Sequence, residues 1–142
     1  MAHVPVAGSL AALLALSALP AEATLGERLE SASSTLPLKQ PTFTGHPRTL
    51  ASGTRVVEYA DIQGTVFAVT WSGPYLPDLR RLLGRHFASF IRHQQQQTAL
   101  HAAVVLRTSD VVILSSGQMG AFSGRAWLPG RIPEGFDAGA LR

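Results

Sequence analysis

The sequence predicts an α+β fold: an antiparallel sheet of about six strands, three before and three after one long helix, packed on or curled around that helix. Three observations carry this. Two β-branched and aromatic runs between Thr54 and Trp71 flank a turn, apolar residues recur at helical spacing from Leu79 to Ile91, and a strand-rich remainder follows Ala103. Hairpin connections enforce antiparallel pairing, and a lone amphipathic helix must lay its apolar stripe on a sheet.

The first 23 residues read as an address. An apolar run from Val4 to Leu19 ends at Pro20, and Ala21 and Ala23 place small residues at the minus-three and minus-one positions of a cleavage site. The n-region contains His3 but no Lys or Arg. A spanning helix needs about 20 apolar residues; this run is shorter and closed by a proline, and no cysteine follows that could carry a lipid. The expectation is a signal peptide over 1–23, cut after Ala23, and a periplasmic or secreted protein with no transmembrane segment after cleavage.

Residues 24–41 are polar and Ser-rich, with Leu25 and Leu29 one helical turn apart, and read as a flexible or partly helical leader. A single α+β domain is expected over 42–142. Its first strand falls between Thr42 and Leu50, confined to an edge or cut short by Pro47. Ala51-Ser52-Gly53 is a turn. Thr54–Ala60 and Thr65–Trp71 form a hairpin across Asp61-Ile62-Gln63-Gly64, with Gly64 supplying the positive φ. Period-two alternation puts Phe67, Val69 and Trp71 on one face, assigned to the core. Ser72-Gly73-Pro74 ends the strand.

The helix then runs from Pro77, suited to the first helical position, to about Gln96, with Asp78 complementing the positive end of its dipole. Leu79, Leu83, Phe87 and Phe90 share a face, flanked by Leu82 and Ile91; Arg81, Arg85 and Arg92 cluster opposite. Three strands follow: Ala103–Thr108, Asp110–Ser115 after a turn at Ser109, and Met119–Leu128 after a turn at Gly117-Gln118. Gly120 and Gly124 leave one strand face small, which admits a close neighbour or marks a bend. Pro129, Gly130, Pro133 and Gly135 make the tail irregular.

Composition limits the remaining choices. The 142 residues contain no cysteine, so packing alone must hold the domain. Eleven of the 12 basic residues are Arg and Asn is absent, a bias that suggests a GC-rich bacterial genome. The pI near 10.2 suits an anionic partner, although a formal charge of +3 also serves solubility. An anionic envelope component or another envelope protein is the expected partner, and no nucleic acid.

Ser52-Gly53-Thr54, Glu58-Tyr59, Val66–Val69 with Trp71, Gly73-Pro74 and Pro77-Asp78-Leu79 with Leu82-Leu83-Gly84 occur in a recognisable order. Gly117-Gln118-Met119, Ala121-Phe122 and Gly124–Pro129 continue it. From Ser52 to Leu128 the chain resembles a family of small exported bacterial proteins known as domain of unknown function 2844. The resemblance implies export in a proteobacterium and carries no chemistry.

The residues themselves hold no G-x-S-x-G, P-loop, G-x-G-x-x-G or H-E-x-x-H pattern. His86 and His93 lie about 10.5 Å apart at 1.5 Å per helical residue, too far to share a metal without His46 or His101 and a carboxylate folding inward. No metal and no cofactor are expected. A hydrolytic triple could draw on Ser72, Ser115 or Ser116, a histidine, and Asp61, Asp78 or Asp110, but nothing shapes a strained nucleophile turn. Glu58 and Asp61, the one close carboxylate pair in a sheet context, read as hairpin surface.

Two surfaces stand out as candidate contacts. Arg81, Arg85 and Arg92, aided by Arg80, make a basic ridge for an anionic surface or else a plain solvated face. Tyr59, Trp71, Arg125 and Trp127, with Phe122 nearby, are candidates for an aromatic-lined ligand groove or else for core. Arg125 has small neighbours, so its guanidinium could reach a ligand or a carboxylate such as Glu58 or Asp78. The expected function is an exported, non-enzymatic binding or scaffolding module; the alternative is a small envelope hydrolase with a site near Trp71, Asp78 and Arg125.

Overall fold

A computed structural model describes residues 24–29, 38–97 and 103–141. Runs of β-branched and aromatic residues form seven strands among these: β1 (Leu38–Lys39), β2 (Phe43–Thr49), β3 (Arg55–Asp61), β4 (Val66–Gly73), β5 (Val104–Arg107), β6 (Val112–Gln118) and β7 (Ala121–Trp127). They join into one antiparallel sheet in the order β1-β2-β3-β4-β7-β6-β5. The sheet is thus larger by one strand than the six expected, with four strands rather than three before the helix. The extra strand, β1, is two residues long and lies in the stretch read as leader. Its described residues pair with Gly45 and Thr44 and not with Pro47, whose missing N–H suits an edge position.

The predicted β3–β4 hairpin forms as expected. The Asp61 carboxylate accepts from the Gln63 and Thr65 backbone N–H groups, each at 2.9 Å, which fixes the turn. One expectation inside it fails. Tyr59 pairs with Ala68 and Ala60 with Val66, leaving Phe67 as the extra residue of a β-bulge. A bulge reverses the alternation beyond it. Phe67 therefore packs on the face opposite Val69 and Trp71.

The helical stretch is also interrupted. Asp78 caps α1 (Leu79–Leu83) by accepting from the Arg80 and Arg81 N–H groups at 3.0 and 3.2 Å. The chain then passes through a 3-10 turn, Gly84–His86, into α2 (Phe87–Gln96). Gly84 ends α1 with φ +51°, a conformation L side chains rarely adopt, and a Cβ there would collide with the Thr24 methyl. That contact reflects where residues 24–29 run. They form no helix: Leu25 N–H donates to Leu82 O, Gly26 N–H to Val66 O, and Arg28 bridges Thr65. Leu25 enters the core at 2% exposure. Residues 30–37 of the expected leader lie outside the described residues.

The sheet has two differently covered faces. On one, Leu79, Leu82, Leu83 and Phe90 of the helical stretch pack on Val56, Val69, Trp71, Ile113 and Ala126. Each fully buried aliphatic side chain there contributes about 1.5–3 kcal/mol. Glu58 shares this face at 3% exposure and pairs with Arg48 at 3.0 Å, so it is not the hairpin surface group expected. Trp71 lies across its β7 partner Gly124, where a Cβ would overlap the indole; of the two roles expected for that glycine, it admits a close neighbour. Gly120 instead supplies the turn, with φ +83°, so the β6–β7 hairpin reverses at Met119-Gly120 rather than at Gly117-Gln118. The second face carries a smaller core of Phe67, Ala68 and Leu141, partly wrapped by Phe43, Tyr59, Trp127 and Phe136.

Candidate functional site in the second sheet face

Strand register builds the site from two parallel rows of side chains. Ser116, Ser123 and Ser72 face one another across β6, β7 and β4. Neighbouring strands lie about 4.8 Å apart, so the three hydroxyls form a ladder; Ser116 Oγ and Ser123 Oγ are 3.3 Å apart. The next row, two residues along each strand, consists of Val105, Leu114, Arg125 and Thr70. One row is hydroxylic; the other runs from aliphatic to cationic.

The irregular tail forms the wall. From Pro129 to Leu141 it folds back over the second face, where the Phe136 ring meets Phe67, Phe43 and Tyr59 edge-on at 4.7, 5.0 and 5.4 Å. Thr42 Oγ1 donates to Glu134 O at 2.8 Å. Arg125 holds the far end: its Nη1 donates to Leu141 O at 2.7 Å and to Gly139 O at 3.1 Å, and its guanidinium sits 6.0 Å from the Trp127 ring. Beside Leu141 a pocket of about 440 Å³ is lined, among the described residues, by Ser72, Val105, Leu114, Ser116, Ser123, Arg125 and others. Among the described residues of that lining, Arg125 is the one charged side chain.

The candidate residues are divided by the sheet. Arg125, Tyr59 and Trp127 belong to the second face, with Tyr59 and Trp127 half-buried in the small core beside the tail. Trp71 lies on the helix-covered face at 1% exposure, its indole N–H without a hydrogen-bond partner. Arg125 reaches neither Glu58, which is paired with Arg48, nor Asp78, which caps α1; it takes tail carbonyls instead. The sheet therefore separates Arg125 from Asp78, whereas Trp71, packed across Gly124, also borders the pocket that Arg125 lines. Arg81, Arg85 and Arg92 are exposed on the helical stretch, and Arg80 stacks 5.3 Å over Phe87. A second cleft of about 340 Å³ opens between residues 76–80 and the Phe87–Ile91 side of α2.

The described histidines are His46, His86 and His93. His86 is buried at the 3-10 turn, where Arg85 Nε donates to its Nε2 at 3.3 Å. Burial, then the Arg85 charge, holds its pKa below the ordinary 6.5, with Asp110 offsetting part of the effect. His46 shares a 2.8 Å hydrogen bond with Thr44 and is held low by burial. His93 lies on α2 within 3.5 Å of Gln97, and His101 is outside the described residues. Burial raises the Tyr59 phenol above its usual 10.0, partly offset by Arg55. Among the described residues no three His, Cys, Asp or Glu side chains gather as a metal would require, and no helix is long and apolar enough to cross a membrane.

The serine ladder and the tail wall escaped the sequence reading. The ladder exists only through cross-strand register, although Ser72 and Ser116 drew notice singly. Phe136 and Leu141 were the available signal for the tail, two large apolar residues in a Pro- and Gly-rich stretch with no other reason to be apolar.

Helix on one face, tail and pocket on the other: these define a small α+β module with an open concavity on its sheet. The chain belongs to the family described as protein of unknown function (DUF2844), matched over residues 17–141. No curated protein and no solved structure matches the chain.

Proposed function

We propose that the protein is an exported module of the bacterial envelope that binds a small ligand in the pocket on the second sheet face. The observation that carries this reading is the lining itself. Pockets of this size suit small molecules, with apolar walls and a few convergent polar groups; here Val105 and Leu114 supply the apolar surface and three serines and Arg125 the polar groups. These groups hold a ligand and fix its orientation. General acid–base chemistry would ask for a titratable group at the reacting atom, and the hydrolytic alternative built on Trp71, Asp78 and Arg125 needs Asp78, which caps α1 away from the pocket that the other two line.

Export is part of the same proposal. A cut after Ala23 keeps every described core residue, the first of which is Leu25, two residues further on. N-terminal sequencing of the protein from its native host should begin at Thr24; a sequence beginning at Met1 in the cytosol would overturn export. Native mass spectrometry of periplasmic protein tests binding. The wild type should carry an adduct that Leu114→Trp, which fills the pocket, lacks; an adduct kept by the variant would place the ligand elsewhere.

A further inference from the structure

We infer that the pocket selects an aliphatic carboxylate, with Arg125 receiving the head group; this rests on the binding reading above. Arg125 Nη1 is committed to Leu141 O and Gly139 O. The donors left over, Nε and Nη2, form the side-on edge of the guanidinium and have no partner among the described residues. That edge matches a carboxylate with two parallel N–H···O bonds. Arg125 also forms no ion pair among the described residues, so a positive charge lines the pocket uncompensated by an acidic side chain.

The neighbouring groups fix the rest of the ligand. Ser123 lies two residues from Arg125 on the same strand face, about 7 Å along it, and Ser116 and Ser72 flank it on the adjacent strands. These hydroxyls can donate to the same head group. On the other side Leu114 pairs directly with Arg125, and Val105 with Leu114, so an aliphatic strip leads away from the cation toward the β5 edge. Val105 is 39% exposed, apolar surface left open beside a charge. A chain of roughly ten carbons with a terminal carboxylate meets all three features and fits the pocket volume.

Isothermal titration with decanoate and with decan-1-ol tests the assignment on the intact mature protein. Decanoate should bind with a stoichiometry of one and at least tenfold more tightly than the alcohol, since a hydrogen bond to a charged group outweighs one between neutral groups. Arg125→Lys keeps the charge and loses the fork; it should weaken decanoate roughly tenfold or more and leave decan-1-ol unchanged. Should that variant melt early through loss of the tail contacts, Ser123→Ala and Ser72→Ala carry the test, each weakening decanoate about threefold or more. Equal affinity for the acid and the alcohol, no binding of decanoate, or decanoate affinity unmoved in a folded Arg125→Lys and in both serine variants would each overturn the carboxylate. Those results leave the pocket itself standing so long as Leu114→Trp removes the native adduct, so the two failures are distinguishable.

Discussion

The contact between Trp71 and Gly124 shows how tightly the helix-covered core is packed. The indole occupies the space a Cβ would need, and a Cβ would also lie 2.7 Å from Leu114 O. Gly124→Ala should therefore destabilise the fold by about 1–3 kcal/mol, read from denaturant melts, because the displaced ring is fully buried. Arg48→Ala should cost more, about 3–5 kcal/mol, since it strips a partner from a carboxylate whose side chain is only 4% exposed. Acid should weaken the fold through His86 and His46. Both are held below 6.5 by burial in the folded chain, so the unfolded chain takes up protons that the folded chain refuses. Stability is then full above about pH 6.5 and falls as pH drops below it. Melting temperatures between pH 7.5 and 5 check this, and His86→Gln should flatten the slope. Single residues were the least legible part of the sequence. Glu58 looked like hairpin surface because its partner Arg48 is ten positions away, across a strand pairing that no local pattern announces.

Among the elements, those with strong local signals were legible and their interruptions were not. The β3–β4 hairpin follows from alternation and an Asp–Gly turn, and the helical face follows from apolar spacing. The break at Gly84 did not show, because an isolated glycine in a helical pattern is commonly tolerated at about 1 kcal/mol and its positive φ answers to Thr24, sixty residues earlier. The Phe67 bulge was hidden for a related reason: strict alternation continues through it in sequence while the register shifts in space. Gly84→Ala should lower stability by about 1–3 kcal/mol through backbone strain and the Thr24 collision. Amide exchange should quicken over 24–29 as well as at the helix junction; acceleration confined to the helix would contradict the docking of that segment.

Across the whole molecule, one sheet serves two purposes because its faces are closed differently. The helix seals one face with aliphatic packing, and the 13 residues from Pro129 to Leu141 cover part of the other. Fold class was readable from the order of patterns; the candidate site was not, since it depends on register across β5, β6, β7 and β4 and on where a Pro- and Gly-rich tail settles. Arg125 joins the two, holding the tail with one edge of its guanidinium and lining the pocket. Amide chemical-shift mapping of isotope-labelled mature protein, titrated with a small-molecule extract of the native envelope, is the most direct trial of this division. Shifts clustered at Ser72, Val105, Leu114, Ser116, Ser123 and Arg125, with the helix silent, are the predicted result. Shifts concentrated on residues 79–96, with those six unmoved, would contradict it.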